Sequence, residues 1–302
     1  MKILLTGASG QLGTELIPRL QKLGEVMPVD LDCAACISKR CRPLDMTDGG
    51  ALETVLNRFQ PDLVVNAGAF TAVDLAEKAP RTAFAVNAEA PGRMARWVSR
   101  NDAFLMHYST DYIFDGYKHE PYLETDLPEP LNVYGESKLA GERAIEASGC
   151  RHVIIRTSWV YSGHGNNFVL SMLALGRRGL ELNVVNDQVG CPTWARNLAD
   201  VSMQLVKKGL ARRKPLQGLV HYCDADRMSW HDFARLVFDS AIKQGLLETM
   251  PRLNSVKSSQ YPQIANRPAW SVLDTALAQS HGIVPARLKT SLEQCLKELP
   301  RE

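Results

Sequence analysis

The first thirteen residues constrain the fold most, because an apolar strand, three evenly spaced glycines and a helical pattern follow one another without a gap. Residues 2–5 are typical of a short buried strand, and apolar residues recur at helical spacing up to Leu20. Between them, Gly7, Gly10 and Gly13 form the pattern G-x-x-G-x-x-G. Glycines let the backbone approach a pyrophosphate, and a helix N-terminus stabilises its negative charge. The segment therefore predicts the strand, turn and helix of a dinucleotide-binding domain.

Strand-like and helix-like segments continue to alternate through the first half of the chain, which favours parallel βαβ units. The predicted fold class is α/β: a doubly wound, Rossmann-like parallel sheet with a smaller C-terminal α/β substrate domain. We predict a dinucleotide-binding domain over residues 1–157 and a mainly substrate-binding domain over 158–302. Later strands at residues 182–185 and 219–222 are expected to return to the main sheet, and residues 81–99 are expected to form one long helix.

Composition places the chain among soluble globular enzymes, with 45% hydrophobic and 23% charged residues. A net charge of +2 gives no electrostatic reason to expect nucleic acid, and no apolar stretch reaches membrane-spanning length. Seven cysteines form an odd, scattered set, which favours a reducing cytoplasm over a disulfide framework. Cys33 and Cys36 have redox or zinc spacing but no fourth ligand nearby, so we interpret them as small apolar residues beside a surface loop.

A phenol and an ammonium lie four residues apart at Tyr134 and Lys138, at the start of a predicted helix. Four residues make about one helical turn, so both side chains are expected on the same face. A cation about 4 Å from the phenol would contribute roughly 4 kcal/mol at an effective dielectric of about 20. The pair therefore predicts a tyrosine whose pKa is lowered toward neutrality and which delivers a proton.

Polar and small residues follow several predicted strands at the edge where ligands bind in open α/β sheets. Asp30 lies twenty positions beyond Gly10, where a carboxylate can accept hydrogen bonds from ribose hydroxyls, although an aspartate there can also cap a turn. Residues 66–71 bring small side chains to the next strand end, which is also consistent with an ordinary tight turn. Thr110 and Asp111 follow a later strand, so a hydroxyl is expected opposite the Tyr134 helix.

Together these motifs resemble the extended short-chain dehydrogenase/reductase superfamily and, within it, the dTDP-4-dehydrorhamnose reductase family. The resemblance runs from residue 1 to about residue 299. It rests on the glycine turn, Asn66-Ala-Gly, Ser109-Thr-Asp-Tyr-Ile-Phe-Asp-Gly, Pro130-Leu-Asn-Val-Tyr-Gly, Arg156-Thr-Ser-Trp-Val-Tyr, Asn186-Asp-Gln-Val-Gly-Cys-Pro-Thr and Arg267-Pro-Ala-Trp-Ser.

The resemblance implies that NADPH or NADH reduces the 4-keto group of dTDP-4-dehydro-6-deoxy-L-mannose, giving dTDP-L-rhamnose. Tyr134 is then the proton donor, Thr110 binds the same oxygen, and Lys138 bridges the nicotinamide ribose. The cofactor-binding residues expected are Gly7, Gly10, Gln11, Leu12, Gly13, Asp30, Asp45, Met46, Ala67, Ala69, Phe70, Thr71, Tyr134 and Lys138. The substrate-binding residues expected are Thr110, Asp111, Trp159, Asn167, Gln188 and Arg267, with Asn166 a weaker candidate.

Charged residues near Asp30 leave the choice of cofactor open. Asp30 and Asp32 would repel a ribose 2′-phosphate, whereas a basic cluster at residues 39–42 would attract one, so we expect both NADH and NADPH to work. Some members of the family hold a divalent metal between acidic side chains at a dimer contact. Glu15 fits that role, but Arg196 stands where another acid is expected, so no metal is predicted and magnesium is not required. The chain is expected to be a monomer or a homodimer.

Two other functions share parts of this pattern. Sugar-nucleotide dehydratases and epimerases have the same Tyr-x-x-x-Lys pair, but a dehydratase of this lineage usually has Asp-Glu where this chain has Asp111-Tyr112. A non-catalytic binding subunit is the other, because the regulatory subunit of methionine adenosyltransferase resembles this reductase family. Intact Thr110, Tyr134 and Lys138 favour an enzyme.

Overall fold

A computed structural model describes residues 1–211, 213 and 215–300, and its main feature is a parallel sheet of seven strands. The strands are β1 (Lys2–Thr6), β2 (Glu25–Asp30), β3 (Arg42–Pro43), β4 (Leu63–Asn66), β5 (Phe104–Thr110), β6 (His152–Thr157) and β11 (Gly218–His221). Their spatial order is β11-β6-β5-β4-β1-β2-β3, which reverses direction at β1 and β4 as a doubly wound sheet does. The predicted α/β fold class is therefore confirmed.

Helices cover both faces of this sheet and account for the nearly continuous apolar strands. Together with those of the C-terminal part, the helices are α1 (Gln11–Leu20), α2 (Gly49–Phe59), α3 (Val73–Lys78), α4 (Pro80–Phe84), α5 (Ala90–Arg100), α6 (Val133–Ala147), α7 (Phe168–Arg177), α8 (Ala195–Gly209), α9 (Trp230–Lys243), α10 (Ala276–Ser280) and α11 (Leu288–Lys297). Alternate residues of β1 enter different cores: Ile3 packs in a cluster with Leu16, and Leu4 in one with Met94. Both faces of the strand are thus buried.

The C-terminal part has its own apolar cluster, in which α7, α9 and α11 contribute Leu173, Phe233, Phe238 and Leu292. Short strands join this part in pairs: β7 (Val160–Tyr161) with β10 (Thr193–Trp194), β8 (Leu182–Val185) with β13 (Leu253–Val256), and β9 (Val189–Gly190) with β12 (Met228–Ser229). The structure thus has a second packing centre beyond the main sheet, and the predicted boundary at residue 157 stays a prediction.

Of the two strands expected to return to the main sheet, only one does. β11 pairs with β6 in parallel, as predicted. The prediction for β8 is wrong, because β8 pairs instead with β13, seventy-one positions away in register at Asn183 and Asn254. An apolar run of four residues carries no information about which partner strand it will find, since the partner lies far away in the chain.

The helix expected over residues 81–99 is present, and its α4 and α5 parts are joined without a break by a π-helical segment at Ala85–Glu89 that the sequence did not predict. Within it, the Asn87 carboxamide accepts a hydrogen bond from Phe70 N (2.8 Å) and donates one to Phe70 O (3.0 Å). A wider helical turn at functional sites is a recurrent way to place one side chain. Here it holds the loop after β4 against α6, where Ser137 accepts a third bond from Asn87.

Cys33 and Cys41 form a disulfide, which corrects the expectation of unpaired cysteines. The loop between β2 and β3 turns twice, through Cys36 N to Cys33 O and Cys41 N to Ser38 O, and this brings the two cysteine Cα atoms within 5.7 Å. Loop geometry of this kind is not readable from spacing. No helix in the described part of the chain is both long and apolar enough to cross a bilayer.

Candidate active site

A cleft of about 510 Å³ opens at the carboxyl ends of β1, β2, β4, β5 and β6. Most of the residues predicted to bind the cofactor meet around it, although they come from four separate segments of the chain. The predicted residues lining it are Gly7, Gly10, Gln11, Leu12, Gly13, Asp30, Ala67, Ala69, Thr71, Tyr134, Lys138 and Asn166.

Close backbone packing explains two glycines of the turn between β1 and α1. Gly7 has φ +67°, and a Cβ there would lie 2.5 Å from Gly68 N; a Cβ on Gly13 would lie 2.1 Å from Gly7 O. Gly10 is the N-cap of α1 and supplies no side chain to the first-turn amides. Amides without a side-chain acceptor at a helix N-terminus suit an anionic group in the cleft.

Asp30 lies at the edge of this cleft with both carboxylate oxygens fixed by the backbone. Its Oδ2 accepts a hydrogen bond from Ser9 N (2.8 Å) and its Oδ1 from Leu31 N (2.7 Å). The Ser9 hydroxyl donates in turn to Asp32 O (2.7 Å), so the glycine turn and the loop after β2 are joined. A carboxylate held in this way can still accept from a diol, because each oxygen has a second lone pair.

Thr110, Tyr134 and Asp111 form the polar centre between β5 and α6. The Tyr134 hydroxyl lies beside that of Thr110, whose Oγ1 donates a hydrogen bond to Asp111 Oδ1 at 3.1 Å. Burial raises the pKa of Tyr134 to about 12, the neighbouring Thr110 hydroxyl lowers it, and the Asp111 charge raises it. The expected lowering of this pKa toward neutrality is therefore wrong in this structure.

The direction of the Lys138 ammonium explains why the pKa of Tyr134 is not lowered. Lys138 is buried, and its Nζ donates to Tyr108 O at 2.6 Å, on β5, instead of approaching the phenol. Burial lowers the pKa of Lys138 to about 8, and Glu142, one turn further along α6, raises it. A shared helix face was predicted correctly, but side-chain direction decides which groups interact.

Three buried polar atoms near this centre have no hydrogen-bond partner among the described residues: Asp111 Oδ2, Ser109 Oγ and Thr157 Oγ1. Ser109 and Thr157 line the cleft at the ends of β5 and β6. Burial raises the pKa of Asp111 to about 7, while the neighbouring hydroxyls of Ser271 and Thr110 lower it. Unsatisfied buried groups in one cleft indicate a polar ligand, and they fit the carboxamide and ribose of a nicotinamide nucleotide.

A second cleft of about 480 Å³ lies beside the first, and its Tyr112 ring contacts Tyr134 edge-on at a centroid distance of 6.0 Å. Two predicted substrate residues, Gln188 and Arg267, line it together with Trp230. Apolar side chains of α7 and β8 form one wall of this cleft. The second cleft therefore suits a ligand with a flat ring at one end and polar groups at the end nearer Tyr112.

Existing partners already engage the polar side chains of this second cleft. Arg267 Nη2 lies 2.7 Å from Asp74 Oδ2, and its Nη1 donates to Gln263 Oε1 at 3.1 Å. The Arg267 bond lowers the pKa of Asp74. Gln188 Nε2 donates to Ser258 Oγ at 2.9 Å. A diphosphate at this place would compete with Asp74 for the guanidinium.

Trp159 and Asn167 lie outside the linings of both clefts. The Trp159 ring stacks on Trp230 at 3.5 Å between centroids, with a positive φ of 46°, and covers Gly190 so closely that a Cβ there would lie 2.5 Å from the indole. Asn167 caps α7: its Oδ1 accepts from Leu170 N, and its amide nitrogen donates to two backbone carbonyls. Its side chain is therefore occupied structurally.

The remaining predicted cofactor residues also lie outside the lining of the first cleft. Asp45 is exposed, and Thr47 donates two hydrogen bonds to it, which lower its pKa. Met46 Sδ would be 2.9 Å from a Cβ on Gly68, so it packs behind the loop after β4. Phe70 bonds to Asn87 through its backbone. Ser9 and Thr157 also line the first cleft but were not among the predicted site residues; their positions just after β1 and at the end of β6 were the available signal.

No cluster of three or more His, Cys, Asp or Glu residues that could hold a metal is present within residues 1–211, 213 and 215–300. Glu15 is bound instead by two guanidinium groups, with Arg19 Nη1 and Arg196 Nε each 3.1 Å from its Oε2. Arg196 also pairs with Glu298. A carboxylate neutralised by two arginines has little affinity left for a cation.

Comparison with known proteins adds independent evidence. Residues 1–301 match a family model described as the RmlD substrate binding domain. The chain is 41% identical over 301 residues to the dTDP-4-dehydrorhamnose reductase of Shigella flexneri, covering 99% of this chain and 98% of that one. Two crystal structures of dTDP-4-dehydrorhamnose reductases share the fold. That of Clostridium acetobutylicum has TM-score 0.86 and 34% identity, and that of Bacillus anthracis, in complex with NADP, 0.87 and 30%; each comparison covers 98% of this chain and 99% of the other.

Proposed function

We propose that this chain, which belongs to the RmlD substrate-binding family, reduces dTDP-4-dehydrorhamnose to dTDP-L-rhamnose with NADPH or NADH. The observation that carries the proposal is the position of Tyr134, which lines the first cleft, contacts Tyr112 of the second cleft edge-on and lies beside Thr110. A ketone bound there would lie between a protonated phenol and the cleft that receives the dinucleotide. The proposed enzyme acts in the cytoplasm as a monomer or homodimer.

When bound, a reduced nicotinamide would supply a hydride to the C4 atom of the sugar, and this chain's residues supply the remaining functions. Tyr134 donates its proton to the oxygen of C4, because its pKa of about 12 keeps the hydroxyl protonated at neutral pH. Thr110 donates to the same oxygen once it releases Asp111. Lys138, with a pKa of about 8, keeps a positive charge near the site at pH 7 and favours charge development on the oxygen.

The dinucleotide occupies the first cleft in this proposal, with its pyrophosphate at the N-terminus of α1 and a ribose at Asp30. The basic residues Lys39, Arg40 and Arg42 line a separate cavity beside β2. They approach the adenosine end of the first cleft only through the loop that also contains Asp32. We therefore propose that both cofactors are accepted, with the 2′-phosphate near solvent.

The second cleft holds the nucleoside diphosphate of the sugar in this proposal. Trp230 and the apolar wall provide a surface for a pyrimidine ring, and Arg267 is placed for bidentate contact with phosphate. Asp74 would then share the guanidinium with the ligand or release it. Because Tyr112 lies between Arg267 and Tyr134, the sugar would extend from this cleft toward the reacting hydroxyl.

A substrate panel tests the proposal directly. Purified protein is mixed with NADPH or NADH and a 4-keto-6-deoxy sugar linked to dTDP, UDP or GDP, and the absorbance of the reduced nicotinamide is followed. We expect the cofactor to be consumed only when the sugar is 4-keto-rhamnose, and fastest when that sugar is linked to dTDP. Equal rates for all three nucleotides would contradict the assignment of the second cleft, and no oxidation with any of them would contradict the function.

A further inference from the structure

His107, on β5, is a fully buried histidine to which no role has been given above. Its exposed fraction is 1%, and its two ring nitrogens face different elements of the sheet and helix layers. Nδ1 lies 2.9 Å from Asn66 Nδ2 at the end of β4, and Nε2 lies 3.4 Å from Lys138 Nζ on α6. The imidazole therefore bridges the loop that follows β4 and the ammonium in the cleft.

A chain of polar contacts continues from His107 to the glycine turn. Asn66 Oδ1 lies 2.7 Å from Thr6 Oγ1, and Gly68 N donates to the same hydroxyl at 3.4 Å. Thr6 and Asn66 are both about 1% exposed. These contacts join the carboxyl ends of β1, β4 and β5 beneath the cleft, and they fix the position of the imidazole independently of any ligand.

The proton inventory of these groups determines the tautomer. An ammonium has donors only, so when Lys138 is charged Nε2 has to accept its hydrogen bond. A neutral imidazole then carries its proton on Nδ1, and Asn66 has to present its oxygen to that N–H. The oxygen and nitrogen of a carboxamide are assigned from the network, and a half-turn of the Asn66 amide gives this arrangement, with its nitrogen donating to Thr6 Oγ1.

The charged and titratable groups around the pair are consistent with a charged lysine beside a neutral histidine. Burial, then the charge of Lys138, then that of His152 on β6 lower the pKa of His107 well below its usual value. Glu142, on the same helix as Lys138, favours the ammonium, and Glu142 itself pairs with Arg156 of β6 at 2.7 Å. Protonation of the ring is thus opposed from β6 and α6 together.

We propose that His107 is a positioning residue for Lys138: its neutral Nδ1–H tautomer, held by Asn66 and Thr6, accepts a hydrogen bond from Nζ and directs the ammonium toward the cleft. The effect on turnover rests on the proposed function, whereas the tautomer does not. Removing the acceptor at Nε2 leaves Lys138 with Tyr108 O as its remaining hydrogen-bond partner among the contacts described here. The ammonium would then lose its proton at a lower pH.

The first measurement needs no sugar substrate. Long-range ¹H–¹⁵N spectra of histidine-labelled protein are recorded at pH 6.5, and the His107 ring signals are identified by their loss in His107→Gln. We expect the Nδ1–H tautomer. An Nε2–H tautomer or an imidazolium would overturn the proposal, whether or not the protein reduces the 4-keto sugar.

The second measurement compares two side chains of graded length. His107→Asn reaches Asn66 but is too short for Nζ, whereas His107→Gln places an amide oxygen near the former Nε2. We expect His107→Asn to lower kcat about tenfold, as for one lost hydrogen bond to a charged group, and to move the alkaline limb of the kcat profile to lower pH. His107→Gln should restore both.

His152→Gln is the matched control, because His152 is also buried on a strand of the sheet and bonds to Cys150 O instead of Lys138. It should leave the alkaline limb in place. If His107→Asn lowers the melting temperature but leaves the pH profile unchanged, or if His107→Gln fails to restore it, His107 has only a packing role and the proposal is overturned. NADPH binding, followed by its fluorescence, reports on folding of the site in every variant.

Discussion

Burial sets the charge states of the side chains around Thr110. It raises the pKa of Asp111 to about 7 and that of Tyr134 to about 12, and it lowers the pKa of Lys138 to about 8. All three shifts favour the uncharged form, as expected where water is excluded. At neutral pH the result is a phenol that keeps its proton, a lysine that is mostly charged, and an aspartate near its midpoint.

Asp111→Asn is expected to stabilise the fold in a pH-dependent way. A carboxyl group whose pKa is raised in the folded state binds its proton more tightly there, so its contribution to stability is lost as the pH rises from about 4 to about 7. Each pKa unit corresponds to about 1.4 kcal/mol, so the gain from the neutral amide is at most about 4 kcal/mol at pH 8 and near zero at pH 4.

Urea denaturation of both proteins at pH 4.5, 6 and 8 provides the measurement. Asp115→Asn, at an aspartate that accepts a hydrogen bond from Tyr122, serves as the comparison, since its carboxylate already has a partner. A gain for Asp111→Asn that is the same at all three pH values would contradict the assigned cause, which is burial of an ionised group.

At the scale of elements, the first cleft depends on close contact between the glycine turn and the first turn of α1. Gly7 O lies where a Cβ on Gly13 would be only 2.1 Å away, so Gly13→Ala requires the turn to move away from α1. We expect the free energy of unfolding to fall by at least about 2 kcal/mol and NADPH affinity to fall with it.

Gly50→Ala tests whether that loss is specific to the turn. Gly50 lies in the first turn of α2, and a Cβ there would be 3.4 Å from Asp48 Oδ1, an ordinary contact. Alanine also favours a helix over glycine by up to about 1 kcal/mol. Unfolding in urea should therefore show Gly50→Ala at or above the stability of the parent protein. Equal stability of the two alanine variants would refute the account of the turn.

Elements whose formation depends on the local pattern of apolar and turn residues were predictable from the sequence. Strands β1, β8 and β11 begin within one residue of the expected positions, because a short apolar run bounded by turn residues has few alternatives. The partner of β8 and the π-helical segment were not predictable, since the first depends on pairing with β13 and the second on a contact between Asn87 and Phe70.

The site residues also divide into those that were predictable from the local sequence pattern and those that were not. Residues of the first cleft follow strand ends, and the topology of a parallel sheet brings strand ends together whatever lies between them. The predicted residues of the second cleft came from the family resemblance alone, and their partners are remote: Arg267 bonds to Asp74, and Gln188 bonds to Ser258. The direction of Lys138 toward β5 was not predictable, because helix spacing gives the face of a side chain and not its partner.

At the scale of the whole molecule, a charged network joins the dinucleotide half to the C-terminal half. Glu15 of α1 binds Arg19 and Arg196, Arg19 also pairs with Asp200 of α8, and Arg196 also pairs with Glu298. At the contact of α1 with α8, arginine side chains thus supply the positive charge that neutralises Glu15. We expect a chelator such as EDTA to leave turnover and the mass in solution unchanged.

Arg196→Glu is the informative comparison for that prediction. It would leave three carboxylates together beside α1, and magnesium should then raise the melting temperature, whereas the parent protein should show no such response. Both proteins are studied by light scattering and by thermal unfolding, with and without about 5 mM EDTA. This concentration exceeds that of trace metal. Loss of turnover in the parent protein that magnesium restores would contradict the prediction.

The most direct test of the whole account is a single-turnover experiment with Tyr134→Phe. NADPH is bound first, the dTDP-linked 4-keto sugar is added by stopped flow, and oxidation of the nicotinamide is recorded beside a separate NADPH titration. The account predicts NADPH affinity close to that of the parent protein and a rate lower by about 10² to 10⁴, the usual contribution of a general acid. Oxidation at the parent rate with intact cofactor binding would contradict the assignment of Tyr134 as the proton donor.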